Sequence, residues 1–310
     1  MTHTRNHAGR TSRPRAPLLA LLLFSSAGCD SADRLASDTS NDGSVATVTF
    51  ASSSFSGIPF GAFALPLTLY GSTFTGGHVN PSPPESLLSR LAVIRSAWAR
   101  VDLTFVGSPV FYINDDGTFN FSKWKARVDR YRGIDFSSYI SDGTVIGHYL
   151  IDEPQCTTCW GGRAIPQDTV EAMAQYSKQY WPTMTTIARA APTWLAGYSG
   201  QYVYLDAGWA QYTVRQGDIN TYLADNVAAA QSEGLGLIVG LNLLKGGADL
   251  SSLTASQVKT FGLVLLSSSY PCALISWQYD ASYFSRTDIK SALDFLSKKA
   301  KRHAPTSCRQ

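Results

Sequence analysis

An α/β barrel of the (β/α)8, TIM-type class is the fold this sequence predicts, and three observations predict it. Short apolar runs alternate with segments of helical periodicity, which implies parallel strands joined by right-handed crossovers. The alternation fills residues 46–310, close to the roughly 250 residues of a closed eight-stranded barrel. Polar and aromatic residues gather at the ends of the apolar runs and not along them, as they do where a barrel carries its ligand site. Seven runs read as strands, beginning near residues 58, 100, 145, 185, 202, 236 and 273, so one of the eight is degenerate or hidden. A doubly wound open sheet is the alternative, but no glycine-rich phosphate fingerprint follows any early strand to support it.

Taken in order, residues 1–28 read as a targeting segment. Arg5, Arg10, Arg13 and Arg15 precede an apolar run from Ala16 to Phe24, too short to span a bilayer. The run ends in Ser26-Ala27-Gly28-Cys29, which resembles a bacterial lipoprotein signal with Cys29 as the lipidated residue, although Ser26 departs from the usual Leu. An ordinary secretory signal is the alternative, and either one takes the protein out of the cytoplasm. Residues 29–45, rich in Ser and Asp, read as a flexible tether. The formal charge of +3 comes largely from the leader. Without its four arginines, 22 basic residues face 23 acidic ones, a balance that offers nucleic acid no excess of positive charge.

Within the barrel segment, Ile58–Leu65 is the first strand, flanked by Gly57 and Pro66. Ser82 and Glu85 have the spacing of a capping box ahead of Leu87, Leu88, Leu91, Ile94 and Trp98 at helical spacing. Arg100–Val106 is the next strand, and Trp124, Val128 and Tyr131 then mark one helical face. Val145–Ile151 is a strand that ends in Asp152-Glu153-Pro154. A helix over 166–181 leads to a short strand at 185–188 delivering Arg189. Tyr202–Asp206 is expected as a strand with Tyr202, Tyr204 and Asp206 on one face. Asp218 caps a helix, Gly236–Leu243 is an apolar run ending near Asn242, and Thr254 with Gln257 forms a second capping box. Ala273–Gln278 is the last strand. Ser285–Asp288 then caps a terminal helix whose basic end, Lys298 to Arg302, suits its dipole.

Four cysteines remain beyond Cys29, and outside the cytoplasm an even count favours disulfides. Of three connectivities the expected one is Cys156–Cys159 with Cys272–Cys308. A four-cysteine zinc site is the rival, and one CxxC without a second supports it weakly. No His-x-His or His-Glu-x-x-His pattern is present, so neither metal nor cofactor is expected. His148, inside a strand, reads as a hydrogen-bonded core residue.

Two adjacent carboxylates at the lip of an apolar strand are costly unless something there needs charge. Asp152 and Glu153, Arg189, Asp206 and Trp209, Asn242, and Trp277, Gln278 and Asp280 all fall at expected strand ends. Trp160, Trp194, Tyr198, Tyr212 and Tyr279 add flat surfaces suited to sugar rings, with ordinary packing as their other explanation.

The strand ending Asp152-Glu153-Pro154, with Trp277 after a later strand, resembles the glycoside hydrolase barrels. Many of those place Asn-Glu-Pro at one strand end and a Trp floor after the last strand. The resemblance spans about residues 58–302 in architecture and rests on three residues and a Trp in motif. It implies a carbohydrate substrate, with Glu153 as general acid and its carboxyl kept protonated by burial beside Asp152. Asp152 stands where the family has Asn, and residues 236–247 hold no acid, so the second carboxylate is expected to be Asp206, or else Asp280. Arg189, Trp209, Asn242, Trp277, Gln278 and Trp160 are the expected substrate contacts. The expected protein is a monomer at the cell envelope, held to the membrane through Cys29. Two other classes fit the same residues: a glycan-binding lipoprotein on a barrel without its nucleophile, and a structural lipoprotein whose acidic rim is a salt-bridge network.

Overall fold

The computed structural model describes residues 55–309. The leader, Cys29 and the tether lie outside them. Eight parallel strands close on one another in chain order. They are β1 (Phe60–Phe63), β2 (Gly76–Val79), β3 (Arg100–Leu103), β4 (Val145–Asp152), β5 (Thr186–Arg189), β6 (Ala207–Tyr212), β7 (Gly236–Leu241) and β8 (Ala273–Ser276). The helices are α1 (Leu87–Ser96), α2 (Phe121–Asp129), α3 (Ser137–Ser141), α4 (Gln167–Tyr180), α5 (Pro192–Leu195), α6 (Ile219–Ser232), α7 (Ala255–Leu265), α8 (Ala281–Ser285) and α9 (Thr287–Ala300). This is the TIM-type (β/α)8 barrel.

The eighth strand is β2, and its sequence hides it. Gly76-Gly77-His78-Val79 has one aliphatic residue, and only a 3-10 turn at Leu67–Leu69 separates it from β1. The glycines are there because β1 and β2 nearly touch: a Cβ on Gly61 would lie 1.7 Å from the Gly76 carbonyl oxygen, and one on Gly76 2.5 Å from Pro59 Cβ.

The expected strand at 202–206 is corrected to Ala207–Tyr212. The Glu171 carboxylate, buried on α4, accepts the backbone N–H groups of Val203, Tyr204 and Leu205 at 2.8, 2.8 and 2.9 Å. With its donors spent on a side chain, that segment cannot enter a strand ladder. Capping follows the sequence in part. Asp218 caps α6, and Thr254 and Gln257 form the capping box of α7. The Ser82–Glu85 box does not form, since Ser86 precedes α1 and its hydroxyl donates to the Pro81 and Pro83 carbonyls. Arg286, not Ser285, precedes α9, with no side-chain cap.

Inward side chains fill the barrel. Phe63, Tyr149, Ile187, Trp209, Ile238 and Ile275 are all buried in one cluster that continues to Cys272 and Cys308 at the base. Outward residues of the same strands, among them Leu103, Leu150, Val239 and Leu274, pack under the helices. The two disulfides join Cys156 to Cys159 and Cys272 to Cys308. Among the described residues no helix is long and apolar enough to cross a membrane.

Candidate functional site

An irregularity in β4 builds the site. Tyr149 pairs with Ile187 and Ile151 with Ala188, so Leu150 is an extra residue opposite β5. Without it, the period of two from the inward Tyr149 would send Asp152 outward. The extra residue reverses the parity: Ile151 packs under the helices, and Asp152 pairs with Arg189 and faces the mouth. Bulges commonly re-aim side chains in this way beside active sites. Glu153 follows in the left-handed region at φ 41°, which costs a non-glycine residue about 1–3 kcal/mol. Its backbone is held there from both sides: its N–H donates to the Arg189 carbonyl at 3.1 Å, and its carbonyl accepts from Cys156 N and Trp160 Nε1 at 2.9 Å each.

Arg189, 8% exposed, organises the charge. Its Nε donates to Asp152, its Nη1 to Gln211, and its Nη2 lies 3.0 Å from a Glu153 oxygen. Gln211 is fixed in turn by donating to the Leu241 carbonyl at 3.1 Å. Burial works against the guanidinium charge, but Tyr149, Asp152 and Glu153 more than offset it, so the Arg189 pKa is raised. The same guanidinium lies 5.4 Å from the Trp277 ring centroid, a cation–π contact. Trp277 is joined to Gln278 by a cis peptide bond.

Of these, Asp152, Trp277 and Gln278 border a cavity of about 250 Å³, lined also by His78, Thr104, Tyr112 and Tyr149. The Tyr149 phenol is held protonated, its pKa raised by burial and by the Asp152 charge; Tyr112 is raised for the same two reasons. His78 and Asp102, cross-strand partners on β2 and β3, are bonded Nδ1 to Oδ1. Asp102 is fully buried, and burial pushes its carboxyl pKa up while His78 pulls it down.

The structure brings together Asp152, Glu153, Arg189, Trp277 and Gln278 from the residues singled out in sequence. It separates others. Asp206 lies just before β6, at the opposite end of the barrel, bonded to Lys178 and to Thr186 N at 2.8 Å. Asp280 follows β8 and caps α8, its Oδ1 accepting from Tyr283 N at 2.8 Å and from Ser282. Trp209 is 1% exposed and packs between Phe63 and Tyr149, with centroids at 4.9 and 5.8 Å. Trp160, also 1% exposed, steadies the Glu153 backbone and offers no surface. Asn242 accepts from Lys245 N at 2.9 Å and shapes a turn. The sulfurs of Cys156 and Cys159 cluster with a Glu153 oxygen in a metal-like set, but they are bonded to each other and are not thiolates. Burial of Glu153 is not found either, since 44% of its side chain is exposed.

Sequence reasoning missed His78, Asp102 and Gln211. One signal was available: Asp102 interrupts an otherwise apolar strand, and a charge there needs a partner.

By sequence, the chain matches no family model and no curated protein. By structure it is similar to an endo-beta-1,4-mannanase from Thermotoga petrophila, with a TM-score of 0.54 at 10% identity over 80% of this chain and 77% of that one. A hyperthermostable endo-1,4-beta-D-mannanase from Thermotoga petrophila RKU-1, with maltose and glycerol, gives 0.52 at 10% identity over 79% and 99%. A beta-glucuronidase from an uncultured Clostridium sp. gives 0.52 at 10% identity, covering 79% of this chain and 50% of that one. At these identities the likeness is one of fold, the closed eight-stranded (β/α)8 barrel.

Proposed function

We propose that this chain is a glycoside hydrolase that acts on an oligo- or polysaccharide at the β4 end of its barrel. The observation that carries the reading is the convergence of Asp152, Trp277 and Tyr149 on one cavity, with Arg189 behind the acid. Glycoside hydrolysis needs negative charge facing the anomeric carbon and a proton for the departing oxygen. Asp152 fits the first need, for it lines the cavity and is paired with Arg189. Trp277 fits the role of a sugar platform, with Gln278 beside it. Glu153 fits the expected role of proton donor less well, because it is paired with Arg189 Nη2 at 3.0 Å and does not line the cavity. We assign it to hold Arg189 and to meet substrate hydroxyls at the rim.

Screening the wild type against mannans, glucans, chitin and uronic-acid polymers tests the reading, with release of reducing ends as the readout. Cleavage of one class is expected, and Asp152→Asn should remove it while the protein still melts cooperatively. The distance of Asp206 from the mouth, and the capping duty of Asp280, favour a second reading: a glycan-binding barrel without turnover. Calorimetric binding of a glycan that is never cleaved would select it. For the region outside the barrel we propose lipid anchoring at Cys29 at the cell envelope. Cys29→Ser should move the protein from the membrane fraction to the soluble one.

A further inference from the structure

We propose that His78, with Asp102 behind it, is the proton donor of this site. The inference rests on the hydrolase reading and supplies the group that reading lacks. His78 lines the same cavity as Asp152. Its ring is clamped between Phe63, stacked at a centroid distance of 4.4 Å, and the edge of Tyr149 at 4.5 Å, so it has one orientation. Nδ1 is committed to Asp102, so Nε2 is the ring nitrogen left to donate. Asp102 is 0% exposed and its second oxygen, Oδ2, has no hydrogen-bond partner. A carboxylic group sealed in that way does nothing for substrate directly. Its one interaction fixes the tautomer and orientation of the imidazole, as a buried Asp does for a working His.

The step balances as follows. The Nε2 proton passes to the glycosidic oxygen as the bond from that oxygen to the anomeric carbon breaks and its electron pair stays on the oxygen. A water forms the new bond to the anomeric carbon and gives its proton to the Asp152 carboxylate. The His78–Asp102 pair keeps the proton between Nδ1 and Oδ1, and exchange with solvent restores Nε2 and Asp152.

The test compares two leaving groups on one sugar: the oligosaccharide the wild type cleaves, and the 2,4-dinitrophenyl glycoside of the same unit, whose phenolate departs without a proton. His78→Gln should lose about 10²–10⁴-fold in kcat on the oligosaccharide and less than tenfold on the dinitrophenyl glycoside. Asp102→Asn, which keeps the shape and removes the charge behind the ring, should show the same split. Equal losses on both substrates, or no loss in a folded His78→Gln variant, overturn the proposal while leaving the hydrolase reading intact. A wild type that cleaves neither substrate overturns both. If His78→Gln fails to fold, the Asp102→Asn split decides alone.

Discussion

The two ends of the barrel carry the same chemistry to opposite effect. At the base, Asp206 accepts from Thr186 N and Oγ1 and from Lys178, and its other oxygen lies 3.5 Å from Arg309. At the mouth, Asp152 meets Arg189 and then opens onto a cavity. Both are acids at strand termini paired with a base, and in sequence they look alike. The base spends its acid on groups of its own chain, and Asp206 does not line the cavity beside the Cys272–Cys308 disulfide. The mouth leaves capacity unspent. A charged cluster becomes a candidate site when its valence is open toward a cavity, and this rule separates the two ends where residue type does not.

The largest expected effect breaks the comparison at the mouth. Asp152→Asn should reduce turnover by about 10²–10⁴-fold, the scale of losing one proton-transfer group, with little change in urea midpoint. The converse belongs to the base. Cys308→Ser removes the crosslink that closes a 36-residue separation, which should cost about 3–4 kcal/mol in urea unfolding with kcat retained. Asp206→Asn strips the half-buried Lys178 of its counter-charge and should cost about 1–3 kcal/mol, again without loss of turnover. If Asp206→Asn instead abolished activity in a stable protein, the division between mouth and base would be wrong.

How much of this was legible follows from where the physics is local. Helices α6 and α7 could be read because Asp218 and Thr254 cap them with bonds to residues two or three positions on. The barrel could be read from alternation, chain length and the polar strand ends together, with one strand left unseen. The β6 boundary could not, because the donors of 203–205 are taken by Glu171, more than thirty residues away. The β4 irregularity left no trace either: nothing in Tyr149-Leu150-Ile151 marks Leu150 as the extra residue, yet it decides which way Asp152 points. His78 and Asp102 lie 24 residues apart and meet only through the β2–β3 register. Local signals thus recovered the scaffold and the motif, and the long-range pairings that complete the site stayed hidden.

A smaller effect tests the wall between the two ends, on the strand that carries Asp152. His148 is fully buried on β4, its Nδ1 is 2.8 Å from Ser177 Oγ, and burial lowers its pKa to about 3. The unfolded chain titrates this group near the ordinary 6.5. The folded state therefore refuses a proton that the unfolded state accepts, and stability is full above about pH 6.5 and declines as the pH falls from there toward 3. One unit below 6.5, at pH 5.5, the loss from this group should be about 1.4 kcal/mol, before most carboxylates begin to titrate. Urea unfolding at pH 7.5 and 5.5 measures it. His148→Gln is expected to be less stable at pH 7.5 through poorer packing, but to lose less between the two pH values than the wild type does. Equal losses in both proteins would mean that another group governs the acid limb.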